Sequence, residues 1–262
     1  MHRSNAIAAG LAGAAALFAA STPAAAEIYA ANGGINFGGP FGTGNLEITD
    51  SADGTGLDFV FNRGALDTSE LFNTAVIYLD TVAGGFTDTT SFNDRQDGIR
   101  RAISGAGFGD GDPTPETRAD LFFSPGFGAD FAIGFNAGFA GLWALDDVNN
   151  FTFVADLGLP AGSASANASF PFSAEYSDLG LSLGDTFEFV ATYINSGNAF
   201  RSDEAIGDGI VPPNPGNDQF PGTPGGSTRT YTAARSYTTV PEPASLGLVA
   251  AGAALMLRRR GR

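Results

Sequence analysis

The chain has 262 residues with 37 Gly, 14 Pro and 23 Phe, a turn-rich composition that argues against a helical bundle, while its 43% hydrophobic share argues against a wholly disordered chain. There is no Cys or Lys, and the one His is His2, which excludes a Ser-His-Asp triad, a thiol nucleophile, a Schiff base and a Cys/His zinc site in the rest of the chain. Residues 27–240 hold eight Arg against 27 acidic residues, a net charge of about −19 that repels nucleic-acid phosphates and favours solubility or attraction of divalent cations.

The first 26 residues have the parts of a secretory signal. A positive start precedes an apolar run over residues 6–20, and Ala24 and Ala26 fit the small-x-small pattern of a cleavage site. The run is short for a membrane span, so a membrane anchor or a buried helix is the less favoured interpretation. We therefore expect an exported protein whose first mature residue is Glu27.

Residues 27–239 predict one β-sandwich body. Apolar and polar residues alternate with a period of two in several stretches, as at Phe131, Ile133 and Phe135. Turn residues separate these stretches, which is typical of an antiparallel sandwich, and the Phe residues are then expected in its core. The predicted strands cover residues 46–49, 57–62, 75–80, 119–124, 130–136, 139–145, 151–156, 168–174, 187–193 and 229–239.

One short helix and two loops interrupt the predicted strands. Ser91 with Asp94 resembles a capping box at the start of the helix, and Gly105 is expected to end it. Residues 203–208 are acidic and predict an exposed loop. Residues 207–226 are rich in Gly and Pro and predict a longer loop or linker.

Two candidate ligand sites lie in the body, and each has a structural alternative. Trp143, the only Trp, is either a stacking platform for a sugar or a core residue. Asp110, Asp112 and Glu116 supply oxygen ligands that suit calcium, although a solvated turn is the favoured interpretation. Some pair among 27 acids would meet the spacing of glycosidase carboxylates, about 5–10 Å, by chance, so no catalytic residue is predicted.

The last 23 residues combine three features in a fixed order. These are Pro241-Glu242-Pro243, an apolar stretch over residues 244–257, and the basic residues Arg258, Arg259 and Arg260 near the end. As a helix the fourteen apolar residues would cover about 21 Å, which is short of a hydrocarbon core of about 30 Å, and the Arg cluster would stay in the cytoplasm.

This tail resembles the PEP-CTERM sorting signal of Gram-negative bacteria, which an exosortase is believed to recognise and cleave during export. The resemblance covers residues 240–262 and implies signal peptidase and exosortase as partners, a destination in the cell envelope or extracellular matrix, and association with exopolysaccharide. A permanent C-terminal membrane anchor is the alternative.

The body also resembles family 9 carbohydrate-binding-module-like sandwiches, through residues 75–85, 129–133 and 170–185. The resemblance implies a jelly-roll over residues 45–195, but the Trp pair that holds a sugar in such modules is reduced here to Trp143. We therefore expect an all-β, jelly-roll-like antiparallel β-sandwich with one short helix, an N-terminal signal helix and a C-terminal apolar helix.

Three function hypotheses follow from these features. The first is a non-enzymatic surface or matrix protein without a cofactor. The second is a carbohydrate-binding module that acts at the cell envelope. The third is a metal enzyme with oxygen ligands or a glycosidase, for which no residue is selected.

Overall fold

The computed structural model describes residues 25–65, 70–107, 118–195, 197, 199–210 and 228–240. The two predicted terminal helices lie outside these residues. Among the helices that are described, none has the length and apolar character needed to cross a membrane.

A four-stranded antiparallel sheet forms one layer, in the order β1-β2-β3-β9. Its strands are β1 (Glu27–Ala30), β2 (Asn45–Asp50), β3 (Gly56–Asn62) and β9 (Ser169–Glu175). In β9 the side chains of Phe170, Phe172 and Ala174 are buried and those between them are exposed. The alternation in the sequence therefore predicts the buried face of this strand correctly.

A seven-stranded sheet forms the second layer, in the order β11-β10-β4-β6-β7-β8, with β13 also paired to β10. Its strands are β4 (Thr74–Asp80), β6 (Phe131–Asn136), β7 (Phe139–Ala144), β8 (Thr152–Asp156), β10 (Thr186–Asn195), β11 (Phe200–Ile206) and β13 (Arg235–Thr238). All pairings in this sheet are antiparallel. A small parallel pair joins β5 (Leu121–Phe122) to β12 (Arg229–Thr230).

The main hydrophobic core lies between the two large sheets. Phe61 of the four-stranded sheet packs against Phe135 of the seven-stranded sheet, with ring centroids 5.5 Å apart. Phe172 meets the same Phe135 ring at 5.1 Å. The structure is thus mostly antiparallel β-sheet with one short helix, which confirms the predicted all-β class and is consistent with a sandwich.

A second core covers the other face of the seven-stranded sheet, where helix α1 (Gly98–Ser104) packs. Ala132 of β6 is buried in this core, and a Cβ on Gly134 would lie only 2.2 Å from Cγ2 of Ile99. Small residues on this face of β6 therefore give the helix room to approach. The central strands β4, β6 and β7 are buried on both faces, so their alternating side chains enter two different cores instead of one core and solvent.

The predicted start of the helix is wrong. Asp97 is the N-cap, and its carboxylate accepts hydrogen bonds from the backbone N–H groups of Ile99 and Arg100. The carboxylate of Asp94 has other partners, since it is buried and accepts from Phe151 N at 2.8 Å. The predicted end is confirmed, because Gly105 terminates the helix with a left-handed φ of 62°.

The predicted exposed loop at residues 203–208 is also wrong, because Asp203 and Glu204 are buried in strand β11. Strand β1 also has no counterpart among the predicted strands. The predicted strand 119–124 shortens to β5, and 229–239 divides into β12 and β13. Of the predicted loop 207–226 only residues 207–210 are described, and Asp208 N there donates to Ala233 O at 2.9 Å.

Candidate functional site

A groove of about 690 Å³ lies at one end of the seven-stranded sheet. Antiparallel pairing places the start of β4, at Thr74, beside the ends of β6 and β10, at Asn136 and Asn195. The described residues that line this groove carry amide, hydroxyl and apolar side chains, and no charged side chain is among them. We call this cavity the polar groove.

The polar groups of this groove are held in place by the surrounding fold. Asn136 Oδ1 accepts hydrogen bonds from Gly138 N at 2.8 Å and Phe139 N at 3.1 Å, which fixes the side-chain amide in the β6–β7 turn. Asn73 N donates to the hydroxyl of Tyr193 at 2.9 Å. Burial raises the pKa of Tyr193 above its ordinary range, so this hydroxyl stays neutral at physiological pH.

A second cavity of about 380 Å³, which we call the aromatic groove, adjoins the first, and Gly98 and Asn136 line both. Phe139, Trp143 and Phe153 form its aromatic wall. Phe153 is 48% exposed, and its ring meets that of Trp143 edge-to-face at 5.5 Å.

Trp143 is only 3% exposed and belongs to the second core as well as to the wall of the aromatic groove. Its Nε1–H has no hydrogen-bond partner among the described residues. The exposed ring surface of this groove therefore belongs mainly to Phe153, and a ligand role for Trp143 stays a prediction. Phe72 lines the polar groove and is 72% exposed. The expectation that Phe residues lie in the core therefore fails at Phe72, Phe122 and Phe153.

The remaining candidate residues lie outside the described ranges, with one exception. The calcium loop (Asp110, Asp112 and Glu116), Ala24, and the tail residues Pro241, Glu242, Pro243, Arg258, Arg259 and Arg260 fall in the undescribed part. Ala26 is described and exposed, and β1 begins at the next residue. Within the described residues, no group of three or more His, Asp, Glu or Cys side chains is placed to hold a metal ion.

Asp80 and Asp130 form an acidic pair where β4 ends and β6 begins. Asp80 Oδ2 accepts from Gly128 N at 2.8 Å, and Asp130 Oδ2 accepts from Thr81 N at 3.0 Å and Val82 N at 2.9 Å. Burial raises the pKa of Asp80, and the negative charge of Asp130 raises it further. Both carboxylates thus bind the backbone of neighbouring turns, and neither lines a groove described above.

We expect Asp80→Asn to gain stability relative to the unmodified chain as the pH rises. A raised carboxyl pKa means that the folded state keeps a proton that the unfolded state loses, so this group lowers stability as the pH increases from about 4 through the folded pKa. Thermal unfolding of both chains between pH 3 and pH 7 measures the difference. Parallel midpoint curves for the two chains would contradict the assignment.

A buried carboxylate at Glu204 is the polar feature that the sequence does not reveal. Strand β11 pairs with β10 on one side, and the loop of residues 32–44 covers it. Glu204 accepts hydrogen bonds from the backbone N–H groups of four residues of this loop: Phe37 (2.7 Å), Gly39 (3.3 Å), Phe41 (2.9 Å) and Gly42 (2.9 Å). Such a ring of N–H donors stabilises a negative charge away from water.

A glycine-rich stretch is the sequence signal that belongs to this arrangement. Residues 33–44 include six glycines, and a Cβ at Gly42 would lie 2.1 Å from Gly34 O and 2.8 Å from Cγ of Glu204. Glycine is therefore required where the loop backbone approaches the carboxylate. The role of this site is structural, since the carboxylate is fully enclosed.

Two buried arginines lie in the same region of the fold. Arg229 Nη2 donates to Arg201 O at 2.6 Å, and Arg201 Nε donates to Ala119 O at 3.1 Å. Burial, together with the charge of Arg201, lowers the pKa of Arg229 to about 10, although Asp203 acts in the opposite direction. Both guanidinium groups thus connect backbone segments inside the protein.

In comparisons with known proteins, no family model matches this chain, and neither a curated protein nor a solved structure matches it.

Proposed function

We propose that this chain is an exported, non-enzymatic surface or extracellular-matrix protein, sorted at the cell envelope through its PEP-CTERM-like tail. The observation that carries the proposal is the fixed order of Pro-Glu-Pro, apolar stretch and Arg cluster in residues 240–262, together with the leader in residues 1–26. The body between these two segments is all-β, acidic and without Cys or Lys. Its high negative charge favours solubility outside the cell and so supports the proposal.

The finer fold that we propose is a jelly-roll-like sandwich. Pairing between strands that are distant in sequence supports it, since β3 lies beside β9 and β4 lies beside β10. Both sheets are antiparallel, and their facing sides form the main core.

Contacts at both ends of the body support processing outside the folded strands. The hydroxyl of Tyr29 in β1 lies 2.6 Å from the backbone O of Ser236 in β13. Asp50 accepts hydrogen bonds from the hydroxyl of Tyr237 at 2.8 Å and from Val240 N at 3.1 Å. The chain is thus held by the body up to the residue that precedes the Pro-Glu-Pro motif.

We expect the mature protein to lack residues 1–26 and the residues that follow Pro-Glu-Pro. Intact-mass spectrometry of the protein exported by a Gram-negative host with an exosortase measures both ends. A control chain with Ala at Pro241, Glu242 and Pro243 should keep its tail. Recovery of the unmodified chain with Arg258–Arg262 still attached would show a permanent anchor instead.

A carbohydrate-binding module at the cell envelope is the second candidate function. The adjoining grooves favour it, because exposed rings at Phe72 and Phe153 and fixed amides such as Asn136 combine the apolar and polar groups that sugar recognition uses.

A further inference from the structure

The described lining of the polar groove is unusual on this protein because it contains no charged side chain. Residues 27–240 carry a net charge of about −19, from eight Arg and 27 acidic residues, yet no charged side chain is among the described residues that line the groove. In the aromatic groove the charged lining residues are Asp97 and Arg100, which form an ion pair with Nε and Oδ2 2.8 Å apart. The carboxylate of Glu70 accepts a hydrogen bond from Ser165 Oγ, which lines the polar groove, at 2.5 Å, so this charge is already engaged within the protein. The described lining residues therefore favour a neutral ligand over an anion or a cation.

The two grooves also provide aromatic rings on either side of a shared polar residue. Phe72 lines the polar groove and Phe153 lines the aromatic groove, while Asn136 lines both. Exposed Phe rings lose water favourably when an apolar surface covers them. The C–H faces of pyranose rings provide such a surface, and the hydroxyl groups at their edges suit amide partners.

A side-chain donor without a partner among the described residues adds to this pattern. Asn136 uses its Oδ1 in the β6–β7 turn, which leaves its Nδ2 group for another acceptor. Trp143 Nε1–H also has no partner among the described residues, but this atom is fully buried. The Nδ2 group of Asn136, a residue that lines both grooves, is therefore the donor on which the proposal relies.

We propose that the polar and aromatic grooves together bind a neutral polysaccharide chain, with sugar rings on Phe72 and Phe153 and hydroxyl groups at Asn136. This proposal rests on the second candidate function and specifies its ligand class. An anionic polysaccharide is disfavoured because the acidic body repels it.

Affinity electrophoresis of the full chain tests the proposal. Native gels are cast with the neutral polymers hydroxyethylcellulose, galactomannan or dextran, or with the anionic polymer alginate. We expect retardation by at least one neutral polymer and none by alginate. Phe72→Ala, Phe153→Ala and Asn136→Ala should each weaken the binding at least about fivefold, the effect of losing roughly one net contact.

Phe122→Ala is the matched control, because Phe122 is 40% exposed but lies in the small parallel sheet and lines neither groove. It should bind as the unmodified chain does. Trp143, as the only Trp, also gives a direct readout, since binding of the soluble oligosaccharide that corresponds to the retarding polymer should shift its fluorescence emission. Circular dichroism checks that each variant is folded.

Three results would overturn the proposal. If no neutral polymer retards the unmodified chain, both the groove assignment and the carbohydrate-binding candidate fail. If the three groove variants bind as Phe122→Ala does, carbohydrate binding lies elsewhere on the protein and the groove assignment alone fails. If alginate retards the chain more than every neutral polymer, the ligand class is wrong. None of these results changes the mass-spectrometric test of export and sorting.

Discussion

Glu204→Ala is expected to lower the free energy of unfolding by at least about 4 kcal/mol. The substitution removes the acceptor for four backbone N–H groups of residues 37–42, and an unsatisfied buried donor costs about 1–3 kcal/mol. Native proteins are stable by only about 5–15 kcal/mol, so this loss approaches the whole stability of the fold. Denaturant unfolding of the full chain measures it.

Two further variants separate this effect from a general loss of charge. Glu188→Ala removes an exposed carboxylate from strand β10 and should change stability by no more than about 0.5 kcal/mol. Glu204→Gln keeps one acceptor oxygen but places an NH₂ group against N–H donors. Its loss of unfolding free energy should therefore lie between those of Glu204→Ala and Glu188→Ala. A cost at Glu204→Ala as small as that at Glu188→Ala would show that the loop of residues 32–44 does not depend on this carboxylate.

Phe135→Ala is expected to cost about 3–5 kcal/mol. The ring is fully buried in the main core and contacts Phe61 and Phe172 of the opposite sheet, so truncation leaves a cavity between the two sheets. Phe72→Ala makes the same substitution at an exposed site and should cost no more than about 0.5 kcal/mol. Equal losses of unfolding free energy in the two variants would contradict the assignment of the core.

Strands β2, β3 and β9 of the four-stranded sheet are the part of the fold that the sequence predicts well. One face of β9 is buried and the other is exposed, so polarity changes at every residue and the pattern is unambiguous. In the central strands of the seven-stranded sheet both faces are buried, and the pattern at Ala132 and Gly134 reflects the approach of helix α1. At these positions side-chain size indicates the packing partner better than polarity does.

The buried acids escape prediction because some of their partners are remote in sequence. Glu204 accepts hydrogen bonds from backbone N–H groups 162 to 167 residues earlier in the chain, and the sequence does not indicate which backbone groups will lie near it. Asp94 has nearby partners in Gln96 N and Arg100, but it also accepts from Phe151 N, 57 residues later.

The grooves could be predicted only in part. The residue type of Trp143 makes it a candidate for ligand binding. Phe72, Asn136 and Phe153 come from separate segments that the pairing of the seven-stranded sheet brings together, so the sequence does not single them out. Among the described strands β8 is the last of that sheet, and its exposed Phe153 lies on this edge strand. Alternation alone cannot distinguish such an edge strand from a central one.

The loop of residues 32–44 also determines how the protein behaves beside copies of itself. Asn32 N donates to Ala205 O at 2.9 Å, and Ala205 N donates to Asn32 Oδ1 at 3.1 Å, so backbone groups of strand β11 are already occupied within the chain. An open strand edge would invite pairing with another molecule. The glycine-rich loop thus covers the edge of β11 and opposes edge-to-edge aggregation. Because Glu204 holds this loop in place, we expect resistance to aggregation to depend on that one buried carboxylate.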